Sequence, residues 1–356
     1  MTMAQRRRRG PVGYGIIGTG MIARIHAQAI RSAADSTLVA VHDAVPQRAM
    51  AFAREFGVPW DADLGTFLAR PEIEAVTLAT PSGARADVAV PAARAGKHLL
   101  CEKPLEVTLE RVDRIIQAAE QSGVLLACVF QSRTVGAVKR VRQALDEGRL
   151  GRLVMANVQV PWYRSQDYYD GSPWRGTWKL DGGGALMNQS IHIVDLLLHF
   201  LGEPETVMAF TDTLAHTGIE VEDTAAAAVR FRNGALATVI VTTGAAPGFP
   251  RRLELCGTRG SVVLLDERLE RWCLTESETH YMAAAAETSE MHGSLSGAAD
   301  PAAISADGHR EQVEDLTRAI LQGGTPMVSG REARRAVQLI LGIYASAQGG
   351  RPFRFA

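Results

Sequence analysis

The sequence predicts an N-terminal α/β domain, a Rossmann-type doubly wound parallel sheet, joined to a C-terminal α+β domain with an open, mainly antiparallel sheet. Three observations carry that expectation. From residue 12 to about 134, short runs rich in Val, Leu and Ile alternate with segments of helical periodicity. The first of these runs enters a glycine turn, Gly18-Thr19-Gly20, that opens directly into a helical pattern. After about residue 150 the apolar runs follow one another without helices between them.

In the first half the strand candidates are "VGYGII", "TLVAVHD", "AVTLAT", "HLLCE" and "VLLACVF". Being apolar at successive positions, they suit strands covered on both faces, as a parallel sheet requires. The segments between them, such as "MIARIHAQAIRSA" and "LERVDRIIQAAEQSG", bring apolar residues back at helical spacing and often end at Gly. In Gly18-x-Gly20-x-x-Ala23 the first glycine suits a tight turn, the second a close approach of backbone to ligand, and Ala23 close packing of helix on strand. The helix that starts there turns its free N–H groups and positive dipole end toward a pyrophosphate. Asp43 closes the second strand, where an acid meets the adenosine ribose hydroxyls and opposes a 2′-phosphate. NAD is therefore expected ahead of NADP, with Arg48 as the feature that would favour NADP.

Composition narrows the classes. The 356 residues are 46% hydrophobic and 22% charged with a formal net charge of -1, an ordinary globular balance that gives no reason to expect a nucleic-acid partner. Residues 1–11, with Arg6 to Arg9, are read as a disordered basic tail. No long apolar run follows it, so neither a signal peptide nor a membrane span is expected. Cys101, Cys128, Cys256 and Cys273 are scattered in strand-like runs without a CxxC pair, which suits reduced core residues in a cytoplasmic protein and no metal site.

Residues 12–134 are accordingly taken as the dinucleotide domain and 135–356 as the substrate-binding and oligomerisation domain, whose C-terminal helices can return to pack on the first. The second part contains "GRLVMANVQV", "ETVMAFTDTLAH", "EDTAAAAVRF", "ALATVIVTTG", "RRLELCG", "SVVLLDE" and "LERWCLT" as strands, with Asn233-Gly234 as a hairpin turn. Residues 276–300 are read as an insertion. Amphipathic helices are expected at about 308–322 and 331–347, and the free face of the open sheet suits a homodimer or homotetramer.

Candidate chemistry falls in three places. Thr80-Pro81-Ser82 and Glu102-Lys103-Pro104 sit at the C-terminal edges of two parallel strands, where ligands bind in open α/β sheets. Lys103 reads either as a stabiliser of a developing alkoxide or as a solvated rim lysine. In "DGGGALMNQSIHIVDLLLHFLG", Asn188, His192, Asp195 and His199 recur at steps of four, three and four, one stripe of a helix. His192 suits a general acid/base with Asp195 orienting it, against the alternatives of a structural histidine or a metal ligand. The stretch "PWYRSQDYYDGSPWRGTW" gathers Trp162, Trp174, Trp178, Arg164 and Arg175, aromatic faces and donors suited to a polyhydroxylated ring or to core and interface packing.

Taken together, "GIIGTGMIA", "HD", "TPSG", "CEKP", "FQSR" and "GGGALMNQSIHIVDLL", in this order from residue 12 onward, resemble the Gfo/Idh/MocA family of sugar and inositol dehydrogenases. The resemblance implies a Rossmann domain, an open-sheet domain that carries substrate and oligomerises, and Lys103 with His192 as the catalytic pair. NAD contacts are then expected from Gly18, Thr19, Gly20, Met21, Ile22, Asp43, Arg48, Thr80, Pro81, Ser82, Glu102, Lys103 and Gln131. Substrate contacts are expected from Lys103, Arg164, Trp174, Asn188 and His192. Two positions depart from the family: Asn188, where many members have Asp, and Arg85, where many have His. Asn188 cannot take up or release a proton in the reaction and is assigned a hydrogen bond to a substrate hydroxyl. The expected reaction is hydride transfer between a nicotinamide and a secondary hydroxyl or ketone of a sugar, inositol or nucleotide sugar. Redox-elimination glycoside hydrolysis with NAD and non-catalytic dinucleotide or sugar sensing are the alternatives.

Overall fold

The structure, a computed structural model, describes residues 10–275, 281–282 and 305–356. The basic run at Arg6 to Arg9 and most of the expected insertion at 276–300 lie outside the described residues. Two compact units emerge, Met1–Gln131 with Ser305–Arg334 and Ser132–Ile304 with Arg335–Ala356.

In the first unit, β1 (Val12–Ile17), β2 (Ser36–His42), β3 (Trp60–Asp61), β4 (Ala75–Leu78), β5 (His98–Cys101) and β6 (Leu126–Cys128) form a parallel sheet in the order β3-β2-β1-β4-β5-β6. Between them run α1 (Met21–Ser32), α2 (Pro46–Phe56), α3 (Leu64–Leu68), α4 (Arg85–Arg94) and α5 (Leu109–Gln121). Every residue of β1 and of β4 is buried, which is why these strands read as unbroken apolar runs. The order reverses direction between β1 and β4, the switch point at which such sheets open a crevice. Ile17, His42, Leu78 and Cys101 are register neighbours across four strands, so the residues that follow them emerge at one edge.

The second unit contains α6 (Gly136–Asp146), β7 (Leu153–Pro161), α7 (Gln166–Asp170), α8 (Ile191–Leu201), β8 (Pro204–Asp212), β9 (Thr224–Phe231), β10 (Leu236–Thr242), β11 (Arg252–Gly257), β12 (Gly260–Leu265), β13 (Arg268–Leu274) and β14 (Tyr281–Met282). The chain then returns to the first unit with α9 (Asp307–Gln322), starts α10 (Gly330–Gly349) there, and ends in the second with β15 (Phe353–Arg354). The nine strands run β14-β13-β12-β11-β7-β10-β9-β8-β15, antiparallel except for the β7–β10 pair. Strict alternation marks β9 and β10: Ala225, Ala227, Val229, Val239 and Val241 are buried. Leu236 and Ile240 point the other way and are about half exposed. The expected Asn233-Gly234 turn joins this hairpin, with Gly234 at φ 87 and the Asn233 side chain accepting from Ala235 N–H.

The cysteines differ from expectation in part. Cys101 and Cys128 are buried, and burial pushes the Cys101 thiol up to about 12. Cys256 and Cys273 are only half-buried, because they alternate with the buried Leu255 and Trp272 and so take the less covered face of the second sheet.

Candidate functional site

The site residues of the first unit share the edge where β1, β2, β4 and β5 end. Gly18 follows β1 with φ 90, and a Cβ there would come within 2.9 Å of the Ala79 backbone, so the turn requires glycine. Gly20 caps α1 without a side-chain hydrogen bond, the first turn has no acidic residue, and a Cβ at Gly20 would meet nothing within 4 Å. The N-terminus of α1 thus keeps its positive end and open space beside it, as the phosphates of a dinucleotide require. Thr19 is buried, Ile22 half-buried and Met21 exposed. Asp43 ties the turn to β2: its Oδ2 accepts from Thr19 N–H at 2.7 Å and from the Thr19 hydroxyl at 2.9 Å, and its Oδ1 accepts from Val45 N–H at 2.8 Å. A carboxylate has about four acceptor positions, so capacity for ribose hydroxyls is left. Arg48 is exposed in the first turn of α2. These residues fit NAD: the turn from Gly18 leaves room for phosphates at the start of α1, and Asp43 keeps acceptor capacity for a ribose.

After β4, Thr80 and Pro81 are half-buried and Ser82 buried. Arg85, one of the two departures from the family, is fully buried and donates to Thr80 O at 3.0 Å and to Pro104 O. It therefore crosslinks the ends of β4 and β5, a structural use for the guanidinium's several donors. Lys103 follows Glu102 directly after β5, and its backbone N–H donates to Glu102 Oε2 at 3.1 Å. Gln131 lies three residues beyond β6 in a 3-10 turn.

In the second unit the irregular backbone around residues 182–190 carries the other candidates. Ala185–Ser190 is a π-helical turn, and α8 begins only at Ile191. Asn188 therefore does not continue the helical stripe of His192, Asp195 and His199: the wider π turn moves it out of the 3.6-residue register. A Cβ at Gly183 would lie 2.1 Å from Tyr344 Oη, and one at Gly184 2.0 Å from Glu222 O, which explains two of the three glycines. Glu222 accepts from Gly184 N–H at 3.0 Å, Leu186 N–H at 2.8 Å and the Tyr344 hydroxyl at 2.9 Å, fixing the turn from below.

Asn188 donates to Asp181 Oδ1 at 2.6 Å, and Asp181 Oδ2 accepts from Gly176 N–H at 2.9 Å. His192 is buried on the first turn of α8. Asp195, expected to orient His192, accepts a bidentate pair from Arg133, at 2.7 Å from Nε and 2.6 Å from Nη2. The aromatic stretch folds around cations. Arg164 is buried, donates to Gln189 Oε1 at 3.1 Å, and lies 5.1 Å from the Trp162 ring and 5.7 Å from that of Tyr168. Arg175 sits 4.1 Å from the Tyr168 ring and 5.8 Å from that of the half-buried Trp174. Gln189, Asp181, Glu222 and Tyr344 were outside the sequence reading; Asp181 and Gln189 lie beside the glycine triplet, whereas Glu222 and Tyr344 are distant in sequence and gave no local signal.

Residues 12–130 match the GFO/IDH/MocA oxidoreductase family with an NAD-binding Rossmann fold, and residues 138–263 match the GFO/IDH/MocA C-terminal domain. The chain is 30% identical to inositol 2-dehydrogenase of Rhizobium meliloti, over 72% of this chain and 76% of that one. It is 25% identical to myo-inositol 2-dehydrogenase of Thermotoga maritima, over 93% and 94% of the two chains. The crystal structure of the WlbA dehydrogenase from Bordetella pertussis, in complex with NADH and UDP-GlcNAcA, superposes with a TM-score of 0.85 at 32% identity, covering 98% of both chains.

Proposed function

The chain belongs to the GFO/IDH/MocA family of NAD-binding oxidoreductases, and from that premise we propose that it oxidises a secondary hydroxyl of a sugar, favouring nucleotide-linked sugars over free cyclitols. The observation that carries the reading is the single edge formed by Gly18, Asp43, Thr80 and Lys103 at the register-matched ends of four parallel strands. Such an edge brings a dinucleotide turn, a ribose acid and one cationic side chain together without further adjustment.

In this reading His192 takes the proton of the substrate hydroxyl and Lys103 holds the negative charge that builds on its oxygen. Bound NAD supplies the hydride acceptor for the carbinol carbon. Asn188, anchored by Asp181, and Arg164, anchored by Gln189, present polar groups to the substrate, and Trp174 offers an apolar ring face. The nucleotide-sugar preference is supported by the extent of the likeness to the UDP-GlcNAcA-bound relative and by Arg175, a second cation in the same aromatic stretch. The proposal includes a cytoplasmic location, supported by four free cysteines, and a second copy of the chain on the open sheet face, where Phe210, Leu236 and Ile240 are exposed. Among the described residues no helix is long and apolar enough to cross a membrane.

The test is a panel of UDP-GlcNAcA, other nucleotide sugars, inositols and anhydrosugars with NAD and with NADP, following the absorbance of the reduced cofactor. The reading expects NADH to accumulate with a nucleotide sugar. Bond cleavage without net NADH would point to redox-elimination hydrolysis, and binding without turnover to a sensor.

A further inference from the structure

Three side chains from distant parts of the sequence meet inside the first unit. His26 lies on α1 after the glycine turn, Glu102 between β5 and Lys103, and His309 at the start of α9. The Nε2 atoms of His26 and His309 lie 2.9 and 3.1 Å from the same oxygen, Glu102 Oε1, and the other oxygen accepts the backbone N–H of Lys103. The side chains are 0%, 7% and 2% exposed, so water does not compete for these bonds. The two rings meet edge to face at 5.1 Å.

The geometry separates two chemistries. Ligands of a tetrahedral zinc ion, each about 2.0–2.2 Å from the metal, sit roughly 3.3–3.5 Å from one another. The shorter separations observed are those of hydrogen bonds donated to a carboxylate. Both imidazoles then carry their proton on Nε2, which leaves each Nδ1 as a bare nitrogen. Neither Nδ1 has a hydrogen-bond partner among the described residues. Buried polar atoms are ordinarily satisfied, so two orphaned nitrogens on one cluster mark an arrangement kept for what the Nε2 atoms hold. What they hold is the carboxylate that grips Lys103. The same cluster binds α9 into the unit, with the Tyr14 hydroxyl donating to Val313 O at 3.3 Å and lying 2.9 Å from Thr317 Oγ1.

We infer that His26, Glu102 and His309 form a positioning cluster for Lys103, in which two buried imidazoles hold the glutamate that fixes the lysine's backbone at the end of β5. The inference rests on the reading of Lys103 as the alkoxide-stabilising residue. His26 and His309 are positioning residues: they act on the reaction through Glu102 and Lys103.

The test compares His309→Leu, which removes the donor, with His309→Gln, whose amide can donate from nearly the Nε2 position, and with His309→Asn, whose amide reaches only the Nδ1 position. Each is assayed as full-length protein for kcat, substrate KM and NADH affinity, beside Lys103→Met. The expected result is a kcat lowered about tenfold or more in His309→Leu, with KM and NADH affinity within about twofold, because a misplaced catalytic group costs rate rather than binding. His309→Gln should recover most of the rate and His309→Asn should not. If His309→Leu does not fold, a higher kcat for Gln than for Asn supports the cluster, and equal kcat values overturn it. Loss of activity in Lys103→Met with a parental rate in His309→Leu would overturn the cluster and leave the lysine's role standing. A parental rate in Lys103→Met would overturn the lysine's role itself. One equivalent of bound transition metal, removed together with activity by a chelator, would replace the hydrogen-bonded cluster with a metal centre.

Discussion

Two buried glutamates, one in each unit, are held by three donors apiece and behave in opposite ways. Glu222 in the second unit accepts from two backbone N–H groups and a tyrosine hydroxyl, and burial still raises its pKa above the ordinary carboxyl range. Glu102 in the first unit is equally buried, yet the hydrogen bonds from His26 and His309 outweigh burial and hold it well below that range. Two imidazole N–H donors converge on one oxygen of Glu102, and hydrogen bonds made to the charged form of a carboxyl favour that form. Burial therefore does not by itself decide what a carboxyl does; the chemistry of its donors does.

The comparison extends to the sites. The first unit builds its edge from short motifs at strand ends, and the second builds its own from long-range clamps on an irregular turn. The largest effects expected on activity are those of Lys103→Met and His192→Ala, each lowering kcat by about a hundredfold or more while NADH affinity stays within a few-fold. A rate near the parent's for either, in steady-state assays, would remove that residue from the chemistry.

Next in size is a pair of glycine substitutions that sets the two units against each other. Gly184→Ala puts a Cβ 2.0 Å from Glu222 O and should destabilise the second unit by about 1–3 kcal/mol or more. Gly20→Ala meets no protein atom and should keep stability while weakening NADH binding by about tenfold, because the methyl intrudes on the ligand's space. Thermal melts and NADH titrations of both variants give the answer; the reverse pattern would break the contrast.

What was legible in the sequence follows the same division. Gly18, Gly20 and Asp43 lie within one strand–turn–helix–strand unit, so their spacing alone fixes their neighbourhood. Strand alternation and the Asn233-Gly234 turn likewise marked the β9–β10 hairpin. The His26–Glu102–His309 cluster spans 76 and 207 residues of sequence and had no local signal. The π turn was also hidden, because Ala185–Ser190 reads as ordinary helix until Glu222 and the glycine triplet are seen to hold it open. Helical spacing pointed Asp195 at His192, but its bidentate partner Arg133, 62 residues earlier, had no local signal.

A smaller effect concerns cofactor choice. With Asp43 opposing a 2′-phosphate, NAD(H) should bind at least about tenfold better than NADP(H), on the order of 1.4 kcal/mol. Asp43→Ser should narrow that ratio to within a few-fold in paired titrations. A parental ratio in the variant would place the discrimination elsewhere.

The smallest expected effect is in the pH dependence of stability. A carboxylate with a depressed folded pKa stabilises fully above its unfolded value and loses that contribution as pH falls through the folded one. Glu102 should therefore help the first unit at neutral pH and stop helping only well below pH 4.5, the ordinary value for the group. Glu222 has the opposite sign: its contribution is complete below pH 4.5 and is lost as pH rises through its raised folded value. Glu222→Gln should flatten the second unit's stability above pH 4.5 and leave that of the first unchanged. The fluorescence of Trp60 for the first unit and of Trp162, Trp174, Trp178 and Trp272 for the second can follow the two separately in single-tryptophan backgrounds.

If the chain moves a hydride from a carbinol carbon to NAD with Lys103 and His192 as its chemical groups, label must follow the hydride into the cofactor. The most direct measurement is a turnover experiment with a nucleotide sugar deuterated at the carbon to be oxidised, with the deuterium content of the cofactor and the yield of ketone both recorded. One deuterium should appear in the reduced cofactor per ketone formed, with both products lost together in Lys103→Met and in His192→Ala. Ketone formation without deuterium in the cofactor, or undiminished deuterium transfer in either variant, would contradict it.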